Sequence, residues 1–325
     1  RDGMLHSVAQ LSGAEYGPLP GPEEQCSGPR IAALGGGTGL AVLLRGLRQA
    51  CFPQTDMDAR HNDRLTAVVT VADDGGSSGA LRRAFRTLAP GDIRNCLLAL
   101  SDADPTLHAL FSYRFGAQLG GHDLGNLMLT VLTLMQKDFV TAVEQVSDLL
   151  NVRGRVLPAT TDDVNLVAEF TDSTRVRGES RIAAMTRRRI RRVRLLPAGA
   201  WALPQALRAI AEADLSGIGP GSLYISLIPT LLVKDLVGAI RESHARVVLV
   251  MNLMTEPGET DGYSAADLSW HCADTLRSCH CIPWYSTRHA FPRASRFYTP
   301  PAVRLQSVSN LGRLSPSVVA RCCMT

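Results

Sequence analysis

The feature that most constrains this chain is an alternation that runs from Ile31 to about Asp267. Short apolar runs are each followed by a loop rich in glycine, aspartate or asparagine, and then by a helical pattern. Two of the runs, Leu65–Ala72 (LTAVVTVA) and Val247–Met251 (VVLVM), are rich in β-branched residues. After the first run, leucines recur at the spacing of one helix face: Leu40, Leu43, Leu44 and Leu47. Apolar strands separated by helices predict an α/β fold with a doubly wound, mostly parallel sheet covered on both faces.

The composition changes along the chain predict three segments. Residues 1–29 are polar and rich in glycine and proline, which predicts a flexible leader. Residues 30–267 predict a Rossmann-like nucleotide-binding domain. It carries a small β-rich excursion at about 150–200, with short strands at Val152–Leu157, Val164–Phe170, Thr174–Val176 and Arg191–Leu196. Residues 268–325 hold one acidic residue against seven arginines and have no amphipathic period, which indicates an aberrant tail that is out of frame or disordered.

Composition also excludes several classes of protein. Hydrophobic residues make up 45% of the chain, but no apolar run approaches the roughly 18 residues of a spanning helix, so we expect no membrane insertion. The net charge is only +4, and two of the 34 basic residues are lysine. The basic run Arg187–Arg194 therefore predicts the solvated face of an edge strand rather than a nucleic-acid site. Three scattered cysteines before residue 268 suit a reducing, cytoplasmic location, and the spacing of Cys272, Cys279 and Cys281 is wrong for a zinc finger.

A glycine-rich turn follows the first predicted strand and precedes the first helix. Gly35-Gly36-Gly37-Thr38-Gly39 would let the backbone approach a phosphate closely, and the helix start would supply free N–H groups. The spacing is G-x-G-x-G, so the turn is neither the dinucleotide fingerprint nor a P-loop. A packing turn without a ligand is the alternative.

Two adjacent carboxylates, Asp73 and Asp74, end the second strand and are followed by Gly-Gly-Ser77-Ser78. Strand ends in such sheets face the ligand crevice. Adjacent strand residues point to opposite faces, so we expect only one of the two to face the site. Either carboxylate could act as a base, and Asp74 could hold Mg²⁺, the one cofactor that this loop suggests. The alternative is a pair of helix caps.

Four further polar loops follow predicted strands or begin helices. Asp92, Arg94 and Asn95 begin one helix, and Asn126 begins another. Gly221 and Ser222 repeat the strand-to-helix turn, and Asn252 follows the last predicted strand. Together these loops predict a crevice for a phosphorylated, nucleotide-bearing ligand. His61, His108 and His122 are scattered and are expected to be structural.

In this order, the loops resemble the bacterial gluconeogenesis factor family, part of the 2-phospho-L-lactate transferase superfamily. The resemblance covers about residues 30–267 and rests on seven ordered motifs: Gly35–Gly39, ADDGGSSG (72–79), GDIRN (91–95), GHDLGN (121–126), LPAT (157–160), GPGSLY (219–224) and MNLMTEPGET (251–260). Among these motifs, GGSSG and GDIRN resemble the gluconeogenesis and cell-shape branch more than the transferase branch.

The resemblance implies a cytoplasmic factor that binds a nucleotide sugar of the UDP-N-acetylglucosamine type and supports gluconeogenic growth and normal cell shape. It implies ligand contacts at Gly36, Gly37, Thr38, Gly39, Asp74, Ser77, Ser78, Asp92, Arg94, Asn95, Asn126, Gly221, Ser222 and Asn252. The alternative is a Mg²⁺-dependent enzyme that transfers a phospholactyl group from a nucleoside diphosphate carrier to a deazaflavin acceptor, with Asp73 and Asp74 as catalytic residues. Enzyme status and assembly into a homo-oligomer stay open, and a nicotinamide dinucleotide binder is disfavoured because the ribose-binding acid is absent.

Overall fold

The computed structural model describes residues 28–52, 63–186 and 188–278. Its centre is a five-stranded sheet in which all neighbouring strands are parallel. The strands, in the spatial order β3-β2-β1-β7-β8, are β1 (Ile31–Gly35), β2 (Leu65–Val69), β3 (Arg155–Pro158), β7 (Leu215–Ile218) and β8 (Arg246–Leu249). Every residue of β1 and β2 is buried. Alternate strand residues point to opposite faces, so both faces of the sheet are covered. The predicted doubly wound α/β fold is confirmed.

Two groups of helices pack on this sheet. One group contacts β1, β2 and β3 and comprises α1 (Gly37–Cys51), α2 (Gly76–Phe85), α3 (Gly91–Leu100), α4 (Pro105–Ser112), α5 (Leu124–Gln136) and α6 (Phe139–Leu149). The other comprises α8 (Pro204–Ala211), a π-helical turn (Leu223–Leu227), α9 (Ile228–Leu231), α10 (Leu236–Glu242) and α11 (Ala265–Ser278). Within the described part of the chain, none of the helices is both long enough and apolar enough to cross a membrane.

The β-rich excursion is a separate three-stranded antiparallel sheet with one short helix. Its strands are β4 (Asn165–Phe170), β5 (Arg175–Arg177) and β6 (Ile190–Leu196), in the order β5-β4-β6, and α7 (Glu179–Ala183) lies between β5 and β6. One of the four strands predicted for the excursion was assigned wrongly, because β3 pairs with β2 at the edge of the main sheet. The apolar pattern of Arg155–Pro158 suits either sheet, and only the pairing separates them.

The part of the basic run from Arg191 to Arg194 lies on the edge strand β6. Arg191, Arg192 and Arg194 are exposed, and Arg191 and Arg192 form ion pairs with Glu169 on β4. Arg175 on β5 pairs with the same carboxylate. The described arginines therefore stand on a solvated face with a carboxylate between them, as the sequence predicts.

Helix α11 crosses the boundary predicted at residue 267. Cys272 on this helix is buried, and Leu268 packs against the core. The tail that the sequence predicts to be aberrant thus starts inside a packed helix as far as Ser278, and residues 279–325 lie outside the described part of the chain. The leader predicted at 1–29 also lies almost wholly outside it.

Candidate functional site

The strand order reverses at β1, which lies between β2 and β7. The loops that leave β1, β2, β7 and β8 therefore meet at one edge of the sheet, where open α/β sheets form their ligand crevice. All six polar loops singled out in the sequence leave strands of this edge or begin the helices beside it.

The first glycine turn has no room for larger residues, because side chains and backbone atoms of other segments approach it closely. A Cβ at Gly36 would lie 2.5 Å from Cγ2 of Thr70 and 2.7 Å from Oδ2 of Asp92. A Cβ at Gly39 would lie 2.8 Å from the Pro220 carbonyl oxygen, in the second glycine loop. Gly37 has a φ of +68°, which favours glycine. The two glycine loops therefore touch and form one continuous floor.

Asp92 sits directly under this floor. The Gly37 N–H donates a 2.8 Å hydrogen bond to Oδ2 of Asp92. Burial, together with the nearby charge of Asp73, raises the pKa of the Asp92 carboxyl from 3.8 to about 6, although the Gly37 hydrogen bond and Arg94 oppose the change. The N–H groups of Thr38 and Gly39, in the same first turn of α1, have no partner within the helix. They are the groups that a ligand phosphate could use.

The paired aspartates diverge. Asp73 accepts a 2.7 Å hydrogen bond from the Gly75 N–H, and burial raises its pKa. Asp74 instead turns to the excursion, where its Oδ1 accepts hydrogen bonds from the Ser180 N–H (2.8 Å) and hydroxyl (2.9 Å). Asp73 lies near Asp92 in the crevice, whereas Asp74 anchors the start of α7. Both aspartates lie beyond the end of β2 at Val69, so the course of the loop separates them, and not the predicted alternation along a strand. Asp74 is thus a poor candidate for a metal ligand or a catalytic group.

The buried guanidinium of Arg82 fixes the aspartate loop from below. It donates to the Asp73 carbonyl (3.2 Å) and, through Nε, to Oδ1 of Asp163 (2.8 Å). It also donates to the Val164 carbonyl, at the start of the excursion. Arg82 and Asp74 thus join the loop to the antiparallel sheet at two points.

Ser77 is held by three groups from the segment that begins α5. Its Oγ accepts from Nδ2 of Asn126 (3.2 Å) and from the Asp123 N–H (3.4 Å) and lies 3.0 Å from Nδ1 of His122. His122, expected from the sequence to be structural, therefore lies beside a predicted ligand contact. The motif that contains it, GHDLGN, is the only sequence signal for this.

Arg94 does not present a free guanidinium fork. It forms a 2.7 Å ion pair with Oδ2 of Asp123 and donates to Oδ1 of Asn95 (2.9 Å). Among the described residues, Nε of Arg94 and Oδ1 of Asn126 are buried and have no hydrogen-bond partner. These two atoms, one a donor and one an acceptor, could form hydrogen bonds with a ligand.

Several polar groups of the second glycine loop are bound within the chain itself. Asn252 and Gly221 exchange two hydrogen bonds, from the Gly221 N–H to Oδ1 (3.0 Å) and from Nδ2 to the Gly221 carbonyl (3.1 Å). The Ser222 hydroxyl lies 2.5 and 2.6 Å from the two carboxyl oxygens of Glu259, and the Tyr224 N–H donates to Oε1 of Glu259 (2.5 Å). Gly221, Ser222 and Asn252 thus form the loop, but the described contacts occupy the Ser222 and Asn252 side chains.

Glu259 and Glu179 were not predicted as site residues. Burial, together with a hydrogen bond to Glu256, raises the pKa of Glu259 to about 8. Glu179, the first residue of α7, has its pKa raised well above the ordinary value by burial and by the charges of Asp73 and Asp92. Glu259 lies within the predicted motif MNLMTEPGET, but Glu179 had no local signal because only the folded excursion brings it to the crevice.

The described crevice is therefore rich in carboxyl groups. Such a surface accepts hydrogen bonds from hydroxyl and amide groups of a ligand. It binds an anionic ligand well only when a carboxyl group takes up a proton or when a cation binds together with the ligand. No group of three or more His, Cys, Asp or Glu side chains among the described residues is placed to hold a metal ion. A Mg²⁺ ion at Asp73 and Asp92 would need phosphate or water oxygens to complete its ligand set, which is how Mg²⁺ is usually bound.

Comparisons with known proteins agree with the motifs. The profile of the family described as "2-phospho-L-lactate transferase CofD" matches residues 31–286. The chain is 49% identical over 241 residues to the "Gluconeogenesis factor" of Bacillus subtilis, which is 74% of this chain and 72% of that protein. A Nostoc relative is 51% identical over 242 residues, which is 74% of this chain and 50% of its own length. This chain therefore spans about half the length of some curated relatives. The crystal structure of protein BH3568 from Bacillus halodurans superimposes with a TM-score of 0.72 at 45% identity and covers 78% of both chains.

Proposed function

This chain belongs to the 2-phospho-L-lactate transferase CofD family, within its gluconeogenesis factor branch, and from that premise we propose that it is a nucleotide-sugar-binding factor. The ligand is of the UDP-N-acetylglucosamine type, and the protein supports gluconeogenic growth and normal cell shape from the cytoplasm. The observation that carries the proposal is the contact between the two glycine loops at the switch point of the sheet, where the Cβ of a residue at Gly39 would meet Pro220.

The phosphates of the ligand lie over the first turns of α1 and α2. Thr38 and Gly39 offer N–H groups from α1, and Ser77 and Ser78 begin α2 beside them. Two helix starts at the same edge of the sheet favour a diphosphate, because each presents unpaired N–H groups and a positive dipole end.

The sugar and ribose hydroxyls lie against the carboxyl groups. Asp73, Asp92 and Glu179 are acceptors when ionised, and hydroxyl groups are donors that such acceptors can bind. The acidic crevice that disfavours a bare anion therefore suits a ligand that carries several hydroxyls beside its phosphates.

Calorimetric titration with UDP-N-acetylglucosamine tests the proposal, followed by recovery of the ligand to see whether the sugar is intact. The variant Gly39→Ala should lose binding, because its methyl group would meet the Pro220 carbonyl at 2.8 Å. Gly46→Ala is the matched control, because Gly46 lies on the same helix and its Cβ would meet nothing within 4 Å among the described residues. Absence of saturable binding by the unmodified chain would refute the proposal.

The family also supports a second candidate, a transferase of the phospholactyl type. Asp92 is the specific feature that favours it, since a carboxyl with a pKa of about 6 is suited to accept a proton from an acceptor hydroxyl near neutral pH. Asp73 would then be the carboxylate that holds Mg²⁺, which would neutralise the diphosphate. Binding of GDP only in the presence of Mg²⁺, with no binding of the UDP-sugar, would favour this candidate, and the variant to test would be Asp73→Asn.

A further inference from the structure

Two donors at the end of the second glycine loop, the Ser222 hydroxyl and the Tyr224 N–H, are bound to an internal carboxyl group. The two carboxyl oxygens of Glu259 lie 2.5 and 2.6 Å from the Ser222 hydroxyl oxygen, and Oε1 accepts a 2.5 Å hydrogen bond from the Tyr224 N–H. Its side chain is buried, with only 9% of the residue surface exposed. A hydroxyl and a backbone N–H converging on one pair of oxygens are the same groups that bind a phosphate in a glycine-rich loop.

The surroundings hold Glu259 in this position. Asn252 fixes the Gly221 peptide with two hydrogen bonds, and its Nδ2 also donates to Oε1 of Glu256 (2.7 Å). Thr260, the next residue after Glu259, is buried, and its hydroxyl accepts from the Glu256 N–H (2.8 Å). The carboxyl therefore belongs to a folded segment and does not sit on a freely moving side chain.

The first glycine turn is different. Asp92 takes only the Gly37 N–H there, and the N–H groups of Thr38 and Gly39 stay available at the start of a 15-residue helix. The two loops therefore look alike in sequence but differ in what they can accept.

We infer that Glu259 determines which glycine loop binds phosphate, because its carboxyl group occupies the Ser222 hydroxyl and the Tyr224 N–H at the end of the Gly219–Ser222 loop. Phosphate is directed to the first turn of α1, and the second loop contacts an uncharged part of the ligand. This inference rests on the proposed function, since it concerns where phosphate lies in the same crevice. Loss of the Glu259 side chain would free both groups for a phosphate oxygen, so the variant without it should admit phosphate.

The test is chemical rescue of Glu259→Ala by inorganic phosphate. Thermal unfolding measures the stability of the variant, and calorimetry measures its affinity for phosphate. We expect the variant to unfold at a lower temperature than the unmodified chain, and to bind phosphate at least tenfold more tightly, with part of the lost stability regained. A folded variant with unchanged phosphate affinity would overturn the inference.

Asp267→Ala is the matched control. Asp267 accepts from the Ser264 N–H (2.8 Å) and hydroxyl (2.7 Å), the same donor types at an exposed position. This variant should lose stability without gaining affinity for phosphate. If Asp267→Ala gained as much phosphate affinity as Glu259→Ala, phosphate would be replacing any lost carboxyl group, and the inference would be overturned.

A measurement on the unmodified chain applies even if Glu259→Ala does not fold. When inorganic phosphate is added and the amide resonances are monitored by NMR, the resonances of Thr38 and Gly39 should shift and that of Tyr224 should not. A saturable shift of Tyr224 with Glu259 in place would overturn the inference. The titration with UDP-N-acetylglucosamine is independent, so its failure would reject the proposed function without deciding the role of Glu259.

Discussion

Asp92→Asn should make the protein more stable above pH 6. The ionised Asp92 carboxylate is buried beside the charge of Asp73, and its pKa rises from 3.8 to about 6. That change corresponds to about 3 kcal/mol against the charged form, at 1.36 kcal/mol per pH unit. An asparagine at this position is uncharged and can still accept the Gly37 N–H through its carbonyl oxygen.

The sign follows from proton linkage. Below about pH 4 the carboxyl is protonated in both the folded and the unfolded chain, so the substitution changes stability little. Between pH 4 and 6 the unfolded chain loses its proton first, and the penalty on the folded chain grows until it reaches its full size above pH 6. Allowing for a weaker hydrogen bond from the neutral amide, we expect a gain of about 1–2 kcal/mol in the free energy of unfolding at pH 8.

Urea unfolding at pH 4.5 and pH 8, followed by circular dichroism, measures this gain. Asp123→Asn is the matched control, because Asp123 also lies near Arg94 but forms a 2.7 Å ion pair with it. Breaking that pair should cost about 3 kcal/mol or more at pH 8. An Asp92→Asn chain that is less stable than the unmodified chain at pH 8 would refute the reasoning, because the carboxylate would then be stabilising.

Three further predictions follow from the same geometry. Arg82→Met should lower the free energy of unfolding by about 2–4 kcal/mol in urea titrations, since buried carbonyls lose their donor; a loss below about 1 kcal/mol would contradict this. Asp74→Ala should cost about 1–2 kcal/mol through Ser180 yet change the affinity for UDP-N-acetylglucosamine by less than about threefold, and a larger loss of affinity would place Asp74 in the site. Because a bound diphosphate raises the pKa of Asp92 further, binding should take up protons and weaken as the pH rises from 6 to 8; calorimetry that shows a pH-independent affinity would reject this.

Much of the fold was predictable because parallel strands and amphipathic helices have distinct periods. The buried runs at Ile31–Gly35 and Leu65–Val69 predict covered parallel strands, and strand ends in such sheets share one edge, so the glycine and aspartate loops could be placed together in advance. Pairing was less predictable, since the pattern of Arg155–Pro158 does not tell which sheet it joins. Helix α11 was missed because the unusual composition of residues 268–325 as a whole obscures the helical pattern of Ala265–Ser278.

The amino-acid sequence by itself determined the α/β class, the family and the set of loops that form the crevice. These depend on local spacing, on residues such as Gly39 that tolerate close backbone contact, and on ordered motifs. Only the tertiary structure decided which polar groups remain available to a ligand. Hydrogen-bond partners far apart in the chain made that selection: Ser180 engages Asp74, and Glu259 takes the donors of Ser222. A side chain's chemistry is local, but its free hydrogen-bonding capacity depends on which residues the completed fold brings within about 3 Å of it.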